Sequence, residues 1–114
     1  MLKKENRIRL KNNFDHVFKH GTSLYYKILG VKVLSNKLDC SRLGVIVSTK
    51  VSKKAVKRNQ LKRIIRDFFQ DNLEKIEKGK DVIIITLPDI ENKEKSEIKE
   101  VLFKAFKKMN LLND

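Results

Sequence analysis

Residues 50–66 of this 114-residue chain read KVSKKAVKRNQLKRIIR, and this stretch opens the longest helix that the sequence predicts. The apolar residues within it and after it recur with helical spacing: Leu61, Ile64, Ile65, Phe68, Leu73 and Ile76. The pattern predicts a helix that starts between Ser52 and Val56 and ends near Lys78-Gly79. Because its apolar stripe has to be covered, the strands that flank this helix decide the fold.

Strands are expected on both sides of the helix. Residues 22–34 are β-branched, aromatic and aliphatic, which predicts one long strand or two strands joined by a bend near Gly30. Arg42–Ser48 is the next predicted strand, and an antiparallel hairpin with its predecessor is the simplest connection. Val82–Leu87 is apolar except for Thr86, which is typical of a strand in the interior of a sheet, and Pro88 ends it.

Shorter helices are expected near the two ends of the chain. After a basic, extended arm over Lys3–Lys11, Asn12 or Asn13 can cap a first helix, and Gly21 suits a left-handed stop beyond it. Its apolar residues lie at i, i+3 and i+4: Phe14, Val17 and Phe18. The last helix carries Ile98, Val101, Leu102, Ala105, Phe106 and Met109. This order predicts one α+β domain over residues 1–114, a sandwich in which helices cover a small mixed sheet.

The composition indicates a folded, soluble protein of the cytoplasm. Leu, Ile, Val and Phe make up 39 of the 114 residues, well above the roughly one-fifth that marks disorder. The longest apolar run, Val82–Ile85, is far shorter than the ~18 residues of a membrane span, and the first residues carry charge instead of an apolar signal segment. The lone Cys40 excludes an internal disulfide and a zinc site built from several cysteines.

The net charge of +13 is distributed very unevenly. Residues 1–66 hold 18 Lys and Arg against 3 acidic residues, whereas residues 67–114 hold 9 against 11. Charges of one sign repel each other in a compact domain, so such an excess points to a polyanionic partner. Nucleic acid is the first candidate. An anionic membrane is the second, but a membrane-surface helix needs a wide apolar face that is not used for a core.

The basic side of the long helix is the strongest candidate site. Residues 50–66 contain eight basic residues and no acidic one. At about 100° per residue, four of their side chains share a sector about 100° wide, away from the apolar stripe: Asn59, Lys62, Arg63 and Arg66. An ordinary solvated face would carry acidic partners at i+4, and none is present before Asp67. Arg, Lys and Asn in this arrangement favour contacts with phosphate and base edges.

Several motifs in order resemble the bacterial ribonuclease P protein subunit. The basic signature consists of Lys53-Lys54, Arg58-Asn59, Lys62-Arg63 and Arg66, and three stretches before it are also similar to the family: 2–7, 13–21 and 42–48. The resemblance spans roughly residues 2–87, and several motifs in the right order are far more specific than any one of them.

This resemblance implies a fold and a function. The fold would have the order αβββαβα with a left-handed βαβ crossover through the long helix, an arrangement also known from a ribosomal protein domain. The function would be that of the non-catalytic protein subunit of an RNA-based endonuclease that removes the 5′ leader of precursor tRNA. The implied partners are the catalytic RNA subunit and precursor tRNA, with no membrane and no obligate protein partner. The implied cofactor is Mg²⁺, bound mainly by the RNA and not by a protein site.

The resemblance also implies roles for single residues. The residues expected to bind the RNA subunit are Lys53, Lys54, Lys57, Arg58, Asn59, Lys62, Arg63 and Arg66. Phe14, Phe18 and Lys32 are expected to bind the leader in a cleft between the first helix and the sheet. The chain departs from the family at Gln60, where Arg is usual. Lys32 stands where an aromatic residue is common, and it suits a phosphate contact instead.

The residues themselves leave other roles open. Phe14 and Phe18 lie one turn apart and can stack on unpaired bases, but on spacing alone core packing is the commoner role of such a pair. Tyr25 and Tyr26 point to opposite sides of a strand, so at most one of them faces a cleft. A structural ribosomal protein or an RNA chaperone explains the charge and the fold equally well.

A nuclease centre in the protein is the third possibility. Metal-dependent cleavage generally needs several carboxylates around paired cations, and the basic half has three acidic residues that are far apart in sequence. His16 and His20 share a helix face, without an evident third metal ligand or a motif that positions a substrate. Cys40 has no histidine beside it in sequence and is expected to be an inert thiol. The sequence therefore predicts no catalytic residue and no metal site.

Overall fold

Four strands and three α-helices make up residues 2–113, the part of the chain that the computed structural model describes. The helices are α1 (Lys11–His20), α2 (Ala55–Asp71) and α3 (Lys95–Lys108). The strands are β1 (Thr22–Tyr26), β2 (Leu29–Ser35), β3 (Arg42–Ile46) and β4 (Lys80–Thr86). Short 3₁₀ turns cover Lys4–Asn6, Leu73–Lys75 and Pro88–Asn92. The order αβββαβα confirms the predicted α+β fold.

The apolar strand β4 lies in the interior of one mixed sheet with the order β1-β2-β4-β3. β2 pairs with β1 and with β4 in antiparallel fashion, and β3 pairs with β4 in parallel. The interior place predicted for this apolar run is confirmed. The predicted hairpin between β2 and β3 is wrong, because β4 enters between them. The prediction paired strands that are neighbours in sequence, because short connections are common. A strand that is apolar on both faces is most stable in the interior of the sheet, so β4 lies between β2 and β3.

The two faces of the sheet have separate cores. The larger core lies between the sheet and the pair α2 and α3, where the rings of Phe68 and Phe106 meet edge-on with centroids 5.3 Å apart. The smaller core lies on the opposite face, where α1 packs, and it is built from Ile8, Val17 and Ile83. The smaller core leaves part of its face of the sheet open to solvent.

The first helix begins and ends differently from the prediction. Leu10 precedes its first turn without a side-chain hydrogen bond, so neither Asn12 nor Asn13 caps it. Gly21 has φ −77° and is extended, so the predicted left-handed stop is wrong. The glycine is needed for space, because a Cβ there would lie 2.6 Å from the carbonyl oxygen of Val17.

The stretch 22–34 forms two strands, and the chain reverses at Lys27-Ile28 instead of near Gly30. Lys27 adopts the left-handed conformation, with φ 56°, that such a turn uses. Gly30 is part of β2 and pairs with Tyr25 across the hairpin. The basic arm is also less extended than predicted, since it contains the 3₁₀ turn before it joins the sheet through a bridge between Arg7 and Leu43.

The long helix starts at Ala55 as predicted but ends at Asp71, well before Lys78-Gly79. The side chain of Asn72 donates a hydrogen bond to the Phe68 carbonyl at 2.8 Å, and this bond supports the end of the helix. Ile76 lies beyond the helix, where it forms a β-bridge with Leu112, and its side chain is buried. Ile76 continued the helical spacing of the apolar residues although it lies beyond the helix, because it packs into the same core as the buried residues of α2.

Candidate RNA interface

One side of α2 carries a dense row of basic side chains. We call Asn59, Lys62, Arg63 and Arg66 the α2 cationic face. Asn59 and Arg63 are exposed, while Lys62 and Arg66 are half-buried. Leu61 and Ile65 lie between them in sequence and are almost completely buried in the larger core. The packing of these two residues therefore fixes the orientation of α2 about its axis, and the side that was predicted to be cationic faces away from the core.

Arg7 from the N-terminal arm lies close to this face. The pKa of Arg66 is lowered from its usual value, first because its guanidinium is partly buried and second because the charge of Arg7 is nearby. The Arg7 Nε donates a hydrogen bond to the Leu2 carbonyl at 2.9 Å, which holds the arm in a defined shape. Two guanidinium groups that repel each other form a favourable place for an anion.

Sequence reasoning missed Arg7. The basic arm was visible in the sequence, but nothing in its spacing placed Arg7 beside α2. The contact depends on the bridge between Arg7 and Leu43 of β3, which is a tertiary feature.

Lysines of the β3–α2 connection and of the first turn of α2 extend the basic surface. Lys50, Lys53, Lys54 and Lys57 line an open cavity of about 670 Å³, together with Glu91 and Asn92. We call these four the loop lysines. Arg58 differs from them, because its Nη1 donates to the Ser52 carbonyl at 3.0 Å and so fastens the loop to α2.

The basic residues of this region are not paired with acidic side chains in the part of the chain that the structure describes. Within residues 2–113, none of the eight Lys and Arg side chains of residues 50–66 forms a salt bridge. By contrast, Arg42 pairs with the buried Asp81 at 2.7 Å, and the hydrogen bond to that carboxylate raises the pKa of Arg42. Gln60, the departure from the family pattern, is exposed and leaves the four residues of the α2 cationic face unchanged.

A second candidate surface lies between α1 and the sheet. The Nζ of Lys32 lies 5.6 Å from the centroid of the Phe18 ring, and 41% of Phe18 is exposed. Tyr25 is exposed on the same face, because Ser23 pairs with Lys32 and Tyr25 follows two residues later. We call Phe18, Tyr25 and Lys32 the α1–sheet surface. Of the two tyrosines, Tyr25 is the one on this face, while Tyr26 packs against the larger core.

Phe14 lies beneath this surface. Its side chain is half-buried against the smaller core, and its ring covers Gly44 of β3. The structure therefore brings Phe18 and Lys32 together but places most of Phe14 in packing.

The remaining reactive side chains do not form a cluster. The rings of His16 and His20 lie with centroids 4.8 Å apart and are tilted by 59° to each other, and both residues are exposed. The Cys40 thiol lies 3.6 Å from the Glu5 carbonyl. Across residues 2–113, no group of three or more His, Cys, Asp or Glu side chains is placed to hold a metal ion. In the same part of the chain, no helix is both long and apolar enough to cross a membrane.

The chain is similar over nearly its whole length to proteins of one family. A family model described as Ribonuclease P matches residues 2–110. The Ribonuclease P protein component of Clostridium botulinum (strain 657 / Type Ba4) is 37% identical over 111 residues, which cover 96% of this chain and 99% of that protein.

Solved structures give the same assignment. The RNase P protein of Staphylococcus aureus matches with a TM-score of 0.89 and 31% identity, covering 95% of this chain and 98% of that one. The RNase P protein of Thermotoga maritima matches with a TM-score of 0.82 and 34% identity, covering 90% and 96%. A protein component of this kind implies an RNA partner in a ribonucleoprotein. The chain therefore belongs to the ribonuclease P protein family.

Proposed function

We propose that this chain is the non-catalytic, RNA-binding subunit of a ribonuclease P in the cytoplasm. It binds the catalytic RNA through the α2 cationic face, the loop lysines and Arg58. It binds the 5′ leader of precursor tRNA through the α1–sheet surface, and it thereby assists the magnesium-dependent removal of that leader. The observation that carries this proposal is the set of eight cations over residues 50–66, none of which has an acidic partner within residues 2–113.

The α2 cationic face suits a folded RNA. Arg63 and Arg66 present planar forks that can bind one phosphate through two hydrogen bonds, while Lys62 acts as a point charge. Asn59 adds an exposed amide that can donate to a phosphate or meet a base edge. Since these side chains stand on one helix with a buried opposite side, they keep a fixed spacing when RNA binds.

The α1–sheet surface suits a single strand of varied sequence. The Phe18 ring can stack on any base, because every base has an aromatic face. Lys32 beside it supplies a charge for the phosphate of the stacked nucleotide. The two surfaces are linked through the N-terminal arm, where Arg7 lies near Arg66 and the next residue, Ile8, belongs to the core under α1.

The protein contributes binding and position, and the RNA contributes the chemistry. No set of three or more metal-ligating side chains comes together in residues 2–113, so the proposal assigns Mg²⁺ to sites on the RNA. Bound there, Mg²⁺ would supply Lewis-acid chemistry for the hydrolysis, acting on the attacking water and on the leaving oxygen. By neutralising phosphates, the protein lowers the repulsion between two anionic RNAs, and less magnesium is then needed to bring them together.

The double variant Arg63→Gln/Arg66→Gln tests the first interface. We expect weaker binding to a ribonuclease P RNA, and a log–log plot of affinity against salt whose slope falls by roughly 0.7–0.9 for each arginine. The matched control is Lys37→Gln/Lys95→Gln, which removes the same charge from two exposed lysines outside this region. Fluorescence titrations at several salt concentrations measure both slopes.

Equal slopes for the two double variants would contradict the proposed interface. A different failure is also visible in this experiment. If binding depends on Arg63 and Arg66 but precursor cleavage is never faster with protein than with RNA alone, the chain is a structural RNA-binding protein.

A further inference from the structure

The tip of the β1–β2 hairpin carries a basic site outside both surfaces described so far. β1 is one of the two edge strands of the sheet, and the hairpin turns at Lys27-Ile28. The Nζ of Lys27 lies 5.5 Å from the centroid of the Tyr26 ring. From α3, the Nζ of Lys108 lies 5.4 Å from the same centroid. Two lysines from distant parts of the sequence therefore converge on one tyrosine.

The lysines of this tip are not held in ion pairs within the described part of the chain, although the pKa of Glu100 in α3 is lowered first by its hydrogen bond from Lys104 and to a lesser extent by the charge of Lys27. In residues 2–113, neither Lys27 nor Lys108 forms a salt bridge. Glu97 and Glu100 of α3 line one cavity with Lys27 and already have partners: Glu100 accepts from Lys104 at 2.9 Å, and Glu97 pairs with Lys93 at 3.6 Å. Both Lys27 and Lys108 are exposed, so an external anion can reach them.

The tip is continuous with the α1–sheet surface. Lys32 pairs with Ser23 and Gly30 pairs with Tyr25, so a path along the hairpin passes from Phe18 and Lys32 to Tyr25 and then to the turn. At about 3.3 Å per residue, the distance from Lys32 to the turn is about 13 Å. Tyr25 is 57% exposed on this path. Tyr26 points to the opposite face of the sheet, and Lys108 lies over its ring there.

We propose that a long leader continues past Tyr25 and over the hairpin tip, where Lys27 and Lys108 bind its phosphates. This inference rests on the proposed binding of the leader at the α1–sheet surface and extends it to nucleotides farther from the cleavage site. These contacts would make the protein bind precursors with long leaders more tightly, because a short leader does not reach the hairpin tip.

The test compares precursor tRNAs with leaders of about 4 and about 16 nucleotides, the range of site sizes that single-strand binding folds show. The variant is Lys27→Asn/Lys108→Gln, because asparagine tolerates the left-handed φ of residue 27. The control is again Lys37→Gln/Lys95→Gln, which makes the same change in net charge. Binding is measured to the holoenzyme assembled with RNA.

We expect the variant to bind the long-leader precursor about 5-fold more weakly for each lost phosphate contact at ~0.1 M salt, and the short-leader precursor with unchanged affinity. Equal affinity of variant and wild-type holoenzyme for the long leader would overturn the inference. Equal weakening for both leaders would also overturn it, because the lysines would then act on the catalytic RNA or on the tRNA body. If Phe18→Ala and Lys32→Gln leave both affinities unchanged, the leader surface itself fails.

The charge-reversed variant Lys108→Glu guards against a loss of folding. It leaves the hairpin turn untouched, and its thermal melt reports whether α3 is intact. If the melting curve is unchanged and the affinity for the long-leader precursor falls more than the affinity for the short-leader precursor, the inference is supported. If the melting curve is unchanged and the two affinities do not differ in this way, the inference is contradicted.

Discussion

Phe14 and Phe18 lie one helical turn apart on α1, yet their surroundings differ. Phe14 is half-buried over Gly44, whereas Phe18 is 41% exposed beside Lys32. Their spacing correctly predicts that both rings lie on one side of the helix. It does not indicate which ring is covered, because Gly44 belongs to β3, far away in sequence.

Alanine substitutions separate the two roles. We expect Phe14→Ala to lower the free energy of unfolding by about 2 kcal/mol, less than the ~3–5 kcal/mol of a fully buried phenylalanine. We expect Phe18→Ala to change it by about 0.5 kcal/mol or less, but to weaken leader binding by about 1 kcal/mol or more through lost stacking. Urea melts and titration with a leader oligonucleotide measure the two quantities. A large loss of stability in Phe18→Ala with unchanged leader binding would assign that ring to the core.

At the scale of the elements, a buried ion pair holds the parallel strands β3 and β4 together. Arg42 and Asp81 are paired in the register of these strands, and their side chains meet through two hydrogen bonds of 2.9 and 2.7 Å. Asn36, from the loop that crosses between β2 and β3, donates a third hydrogen bond to Asp81 at 2.8 Å. The pair therefore fastens the crossing that sequence reasoning mistook for a simple hairpin.

Removal of the carboxylate should destabilise the sheet. We expect Asp81→Ala to lower the free energy of unfolding by about 3 kcal/mol. This is near the low end for a broken buried pair, because the Arg42 side chain is still 19% exposed to solvent. The control is Asp15→Ala, which breaks the exposed pair with Lys11 and should cost about 0.5 kcal/mol or less. Urea denaturation compares the two. A similar small loss in both variants would show that the buried pair does not secure β3 against β4.

Local pattern predicted the elements better than their arrangement. The apolar run over 82–87 is explicit in the sequence and correctly indicated an interior strand. The strand order and the early end of α2 were not accessible, because they depend on β4 entering the sheet and on Asn72 bonding to Phe68. The composition of the α2 cationic face was predictable because a helix and its buried stripe fix its opposite side. The place of Arg7 was not, since it follows from a tertiary bridge.

At the scale of the whole molecule, the net charge of +13 is confined within dimensions of 36 × 32 × 26 Å. At ~0.01 M salt the screening length is about 30 Å, so charges on opposite sides of the molecule repel each other; at ~0.15 M it is about 8 Å. Folding brings these charges together and is therefore opposed by their repulsion.

We expect the melting temperature of the free protein to rise between these two salt concentrations, and binding of RNA to raise it further because RNA neutralises the excess charge. Differential scanning fluorimetry measures both changes, with sucrose as a control that does not screen charge. A melting temperature that stays constant or falls with salt would show that the basic surface is not under repulsion in the free protein.

The central claim is that the protein binds and positions RNA while the catalytic RNA performs the cleavage. Its most direct test is the cleavage of a precursor tRNA at low magnesium in three mixtures: protein alone, a ribonuclease P RNA alone, and both together. We predict cleavage at the mature 5′ end only in the combined mixture. Cutting by the purified protein alone, or a combined mixture no faster than the RNA alone, would contradict the claim.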